Sequence, residues 1–116
     1  MIGPSEEQLT RLHERLLAAR EIAQALLGRR DARVEASGQT IGRLTRMDAL
    51  QLQGMSQLSR GQLAIRMQQI EAALRAWEAG RYGACNRCRQ PIDTERLEAL
   101  PEAPLCLPCQ EAIEAR

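Results

Sequence analysis

Four cysteines carry the reactive chemistry of this 116-residue chain: Cys85 and Cys88 are separated by two residues, Cys106 and Cys109 likewise, and the two pairs by seventeen. The spacing C-x2-C-x17-C-x2-C is that of a zinc site. Each C-x2-C pair folds into a tight turn that presents two thiolates to one ion, and two such turns complete a tetrahedron with Zn–S distances of about 2.3 Å. Sulfur then fills every coordination position and none remains for water. The expected cofactor is therefore one structural Zn2+, because a catalytic zinc needs an open fourth position. A single C-x2-C could act as a redox dithiol, with Arg81, Arg87, Arg89 and Arg96 close in sequence to lower a thiol pKa. The second pair and the lack of a βαβ pattern favour zinc, and those arginines are expected to screen the anionic tetrathiolate or to face solvent.

No other constellation suggests catalysis. The one histidine, His13, has no nucleophile partner in sequence and is expected to face solvent, and the carboxylates recur as solvated helix faces. A non-enzyme is the expectation.

The cysteines need elements to position them. The 36 residues from Arg81 onward fall below the roughly 40 at which a domain needs a metal or other staple, so zinc must stabilise this segment beyond what Ile92, Leu97, Leu100 and Leu105 contribute. Pro108 beside Cys109 suits a short terminal helix that begins at the second cysteine pair. Upstream, Ser5 with Gln8 forms a capping-box pattern that opens a helix, along which Leu9, Leu12, Leu16, Ala19, Ala23 and Leu26 follow at steps of three and four. Gly28 and the polar stretch 29–39 break the pattern. A second helix is expected from about residues 40–45 to Ala79, stopping at Gly80.

The second helix carries Ile41, Leu44, Met55 and Leu58 in one register, which puts Asp48 and Gln51 on the seam. Leu63, Met67, Ile70, Leu74 and Trp77 follow in a shifted phase, with the slip near Gly61. The expected fold is mainly α: a long antiparallel helical hairpin, or coiled coil, over residues 1–80 with its tip near 29–48, followed by a small four-cysteine zinc finger over 81–116 with a short terminal helix. Two helices of about 24 and 40 residues would place Leu26 near Leu44 and Leu9 near Arg60. The overhanging Met67, Ile70, Leu74 and Trp77 would then be covered by the zinc module or would mediate self-association.

Composition narrows the function. With no Phe, one Trp and one Tyr, a core built on rings is excluded. Sixteen basic residues, all arginine, oppose fifteen acids, so the net charge of +1 provides no general footprint for nucleic acid or acidic membrane. No apolar run approaches the ~20 residues of a membrane span, and Glu6 and Glu7 stand where a signal peptide would be basic. A cytoplasmic location follows as the expectation, and reduced cysteines with it.

The residues Gly80, Tyr82-Gly83-x-Cys85-x-x-Cys88, Pro91-Ile92, Arg96-Leu97-x-Ala99-x-Pro101 and Cys106-x-x-Cys109-Gln110 resemble the C-terminal zinc finger of the DksA/TraR family. Residues 42–51 look like the tip-proximal helix of short DksA-like proteins. The resemblance implies a bacterial transcription regulator that binds RNA polymerase directly, inserts its coiled-coil tip through the secondary channel and does not itself bind DNA. Some members act with ppGpp, at the polymerase interface. It assigns the partner-binding tip to Arg43, Arg46, Asp48 and Ala49. The family's best-known tip has two acidic residues three apart followed by a small one, and here only Asp48 with Ala49 is comparable, in a stretch (29–48) with five arginines and three acids. Arg89 stands where the family often has glycine, which requires a strained backbone angle or an altered turn. The alternative reading is a zinc-stabilised helical adaptor that self-associates or binds another protein without acting on polymerase. A zinc-ribbon nucleic-acid module fits poorly, since the zinc segment is net acidic and has only Tyr82 to stack.

Overall fold

Ser5 opens the first helix as its sequence requires: the Gln8 backbone N–H donates to the Ser5 hydroxyl at 3.2 Å, and the Ser5 N–H donates to Gln8 Oε1 at 2.8 Å. A computed structural model describes residues 4–28 and 46–115, with no side chains given for residues 46–48. The elements are α1 (Glu6–Leu27), α2 (Arg46–Ser56), α3 (Arg60–Glu78), α4 (Thr94–Ala99) and α5 (Leu107–Glu114). Among the described residues there is no strand, only an isolated antiparallel bridge between Ala84 and Pro91. No helix of the described residues is long and apolar enough to cross a membrane.

The mainly helical architecture and the terminal helix agree with the sequence, but the second helix is not continuous. It breaks after Ser56, where the Leu58 N–H donates to Met55 O at 3.1 Å, and restarts at Ser59. Ser59 and Gln62 form a second capping box: the Gln62 N–H donates to Ser59 Oγ at 3.1 Å and the Ser59 N–H to Gln62 Oε1 at 3.0 Å. A hydroxyl three residues before a glutamine satisfies two orphan N–H groups at a helix start, which offsets the lost helical bonds and favours a new helix over continuation. The shift in apolar phase near Gly61 is this break seen in the sequence.

The break changes the register of the hairpin. Helix α3 has 19 residues against 22 in α1, so no surplus of α3 is left without α1 beside it, and the first turns of α1 instead reach the zinc module through Leu12. Leu63, Ile70 and Leu74 of α3 pack with Leu16, Ala19, Ile22 and Ala23 of α1 in one cluster, to which α2 adds Met55. The expected proximity of Leu9 to Arg60 is replaced by that of His13 to Trp77, whose rings stack at 4.3 Å with planes 6° apart. His13 is thus not a free solvent-facing residue. Ile70 and Leu74 are buried within the chain, in one cluster with residues of α1, and Tyr82 at the start of the zinc module packs on the same cluster and lies 5.7 Å from Trp77, so the self-association surface expected at Met67, Ile70, Leu74 and Trp77 is already occupied at its centre.

Ser59→Ala removes one half of the internal cap. It should lower the unfolding free energy by about 1 kcal/mol in urea titration, with unchanged metal content.

Candidate metal centre

The end of α3 hands the chain to the cysteine module through a Schellman turn. Gly80 has φ +75, its N–H donates to Trp77 O at 3.0 Å, and the Arg81 N–H donates to Ala76 O at 2.8 Å. The first cysteine turn follows. The Cys85 N–H donates to Gln90 O at 2.8 Å, the Arg89 N–H returns to Cys85 O at 2.9 Å, and the Ile92 N–H donates to Gly83 O at 2.7 Å. Closing this loop forces Arg89 into the left-handed region, φ +67, the strained angle expected of a non-glycine there.

The second turn is built on a helix start. Cys106 is the N-cap of α5, with a proline in the first turn and Cys109 inside the helix, so both sulfurs sit at the positive end of its dipole. The Asn86 N–H donates to Pro104 O at 2.9 Å and ties the two turns together.

The four Sγ atoms of Cys85, Cys88, Cys106 and Cys109 lie within 4.8 Å of one another. None is in a disulfide, and Cys88 Sγ is 3.7 Å from Cys106 Sγ. A tetrahedron with Zn–S bonds of about 2.3 Å has S···S edges of about 3.8 Å, so this donor set fits one zinc ion. Cys85 and Cys109 are buried, Cys106 half-buried and Cys88 exposed. The Cys85 Sγ accepts the N–H groups of Arg87 at 3.4 Å and Cys88 at 3.5 Å. Burial raises the Cys85 thiol, but backbone donors from Cys88, Cys106 and Arg87 outweigh it and bring the group down to about 6. Cys109 is pushed up to about 12, chiefly because its proton is shared with Cys106 and also because it is buried. Metal binding must displace that proton.

The module is fixed to the helices by packing and by charge. Leu12 of α1 joins Cys85, Ile92, Leu97 and Cys109 in a second buried cluster, and Tyr82 packs against both clusters. The Tyr82 hydroxyl donates to Pro101 O at 2.8 Å. Burial, and after it the Glu102 carboxylate, push its phenol above the ordinary range, against the opposing Arg15. Arg66 of α3 donates through Nε to Glu102 Oε2 at 2.7 Å, a pair nearly closed off from solvent at the carboxylate. Arg15 donates to Glu98 O, and Arg11 lies 3.6 Å from the Glu98 carboxylate. Arg96, expected to screen the thiolates or face solvent, instead donates to Leu105 O at 2.9 Å and braces the loop before Cys106. Arg81, Arg87 and Arg89 are exposed.

The structure therefore brings the four cysteines together. Of the tip residues, Arg43 lies outside the described residues, as do the side chains of Arg46 and Asp48 on α2, while Ala49 is exposed. Sequence reasoning missed α4 and the Arg66–Glu102 pair. Asp93 before Thr94 and Glu95 was a legible helix start, whereas nothing in sequence links two residues 36 positions apart.

Comparison with known proteins follows the same division. The family described as prokaryotic dksA/traR C4-type zinc finger matches residues 80–115. A protein of Aquifex aeolicus titled "Uncharacterized protein" is 31% identical over 108 residues, covering 93% of this chain and 70% of that one. The "RNA polymerase-binding transcription factor DksA" of Haemophilus influenzae is 40% identical over 50 residues, and that of Caulobacter vibrioides 45% over 47. These two matches cover 43% and 40% of this chain but only 34% and 33% of the DksA proteins. No solved structure matches the chain.

Removing zinc with a strong chelator, or Cys106→Ser, should abolish hydrogen-exchange protection across residues 81–115 and expose Leu12. Helicity from α1 and α3 should largely persist; loss of zinc with that protection intact would show that the centre is not the staple. Arg89→Gly relieves the left-handed strain and should stabilise the zinc-loaded protein by about 1 kcal/mol in thermal unfolding. A lower melting temperature would mean that the arginine side chain supports the centre.

Proposed function

The chain belongs to the prokaryotic DksA/TraR C4-type zinc-finger family, and from that premise we propose that it is a transcription regulator that binds RNA polymerase directly. The observation that supports this most is the coincidence of two features in one segment. The stretch similar to proteins titled RNA polymerase-binding transcription factors contains the cysteine tetrad, and that tetrad is docked through Leu12, Tyr82 and Arg66–Glu102 onto the α1–α3 pair. In this reading residues 1–80 are the helical arm, 81–116 the structural zinc base, and the working end is the tip near 29–48 with Arg43, Arg46, Asp48 and Ala49.

The zinc takes no part in chemistry. Held by four thiolates, it offers no exchangeable position, and its contribution is to hold Cys85 and Cys109 so that Ile92 and Leu97 can pack against Leu12. The protein acts by occupying a surface, in the cytoplasm and without binding DNA, rather than by catalysis. Asp48 would serve at a contact rather than in packing, because a carboxylate on an apolar seam is tolerated only where it reaches solvent or a partner.

The test uses the zinc-loaded full chain, fluorescently labelled and titrated with purified bacterial RNA polymerase, together with transcription from a sensitive promoter. Saturable binding is expected, with Asp48→Asn and Arg46→Ala changing transcription severalfold at unchanged melting temperature. Absence of binding by the wild-type chain would falsify the polymerase reading. Binding with both variants inert would keep the partner and discard the tip mechanism.

A further inference from the structure

Between the end of α3 and the first cysteine turn lies a hollow of about 250 Å3 lined by three arginines from three separate parts of the chain. Arg75 belongs to the last turn of α3, Arg81 to the Schellman turn and Arg89 to the end of the first cysteine loop. Asn86 lines the same space, and the alanines Ala76 and Ala84 are too short to fill it. No carboxylate lines the hollow.

Like charges gathered around one space repel, and no acid of the chain is paired with them. Among the described residues none of the three arginines makes an ion pair, although Glu71 and Glu78 stand at helical pairing distance from Arg75 on the same helix. The anionic zinc tetrathiolate lies behind buried Cys85 and has a partner of its own in Arg87, whose side chain hydrogen-bonds Cys109. Arg89 is the most informative of the three. It holds φ +67, an angle that glycine adopts freely and arginine only under strain, and no ion pair within the described residues offsets that strain. What arginine supplies there, and glycine would not, is a guanidinium at the hollow.

We propose that this hollow is a binding site for a compact multivalent oxyanion of the phosphate class, held by Arg75, Arg81 and Arg89. Guanidinium groups pair bidentately with phosphoryl oxygens, and three of them arriving from different directions can enclose one or two tetrahedral groups. No aromatic ring lines the hollow, so a nucleobase carried by the phosphate finds no stacking partner, and the phosphoryl group itself is what is recognised. A bound anion bridges α3 to the first cysteine turn and relieves the repulsion among the three cations. Because it binds only the folded arrangement, it stabilises the seat of the zinc module. The site acts without RNA polymerase and apart from the hairpin tip.

The experiment titrates the zinc-loaded full chain with inorganic pyrophosphate by calorimetry at low ionic strength and follows thermal unfolding of the same samples. Expected are a single saturable site, a higher melting temperature with pyrophosphate bound, and affinity about tenfold weaker in Arg81→Gln and in Arg89→Gly, with zinc content unchanged. Arg89→Gly relaxes the turn as it removes the guanidinium, so its loss of binding does not come from misfolding. Inorganic phosphate should bind more weakly than pyrophosphate, and a nucleoside diphosphate no more tightly. A nucleoside diphosphate that binds where pyrophosphate does not overturns the assignment, as does pyrophosphate binding that both variants leave at wild-type strength, or the absence of saturable binding. Retention of a short DNA duplex through these arginines, without saturable binding of pyrophosphate, assigns them to nucleic acid and overturns it as well.

Discussion

Zinc–thiolate coordination is the constraint on which the lower half of the molecule depends. Residues 81–115 contain two short helices and one isolated bridge, too little regular structure to bury a core unaided. Bringing four sulfurs to one ion fixes both cysteine turns at once and thereby places Ile92 and Leu97 against Leu12 of α1. The free energy of a structural zinc site, on the order of 10 kcal/mol or more in zinc-finger peptides, exceeds anything these few aliphatic side chains supply at about 2 kcal/mol each. The strained angle at Arg89 is tolerated because the same loop is held by the metal and by the Cys85–Gln90 and Arg89–Cys85 hydrogen bonds.

The second organising relation is between that module and the paired helices. Leu12 belongs to the metal-side cluster, while Leu16, one turn later on the same helix, belongs to the helical cluster, so α1 is a shared wall. Tyr82 bridges the two clusters, and Arg66–Glu102 adds a directional tie between α3 and the loop ahead of Cys106. A buried ion pair of this type contributes little net stability, but loss of one partner strands the other and is costly. Its effect is to fix how the module sits on α3.

Much of this could be read from the sequence because the signals were local. The metal site followed from cysteine spacing alone, the start of α1 from Ser5 and Gln8, and the end of α3 from Gly80. The break at Ser59 was legible in the same code, since Ser59-Arg60-Gly61-Gln62 repeats the capping pattern. It was obscured by the weight that apolar periodicity gives to one continuous helix, and the false overhang of Met67 to Trp77 followed from that. The His13–Trp77 stack depended on the corrected register and could not be found before it. Arg66–Glu102 is long-range and leaves no local trace.

The break at Ser59 also changes how force and direction pass along the molecule. A continuous helix transmits bending and twist through its backbone hydrogen bonds, whereas two capped helices meet at a joint. The angle of that joint is set by side-chain packing, with Met55 of α2 fully buried as its pin and Leu58 packed beside it. The heading of α2 can therefore be retuned by the size and shape of the residue at one position, without disturbing the metal-bearing base. In a lineage of such proteins, reach and aim would be separately adjustable quantities.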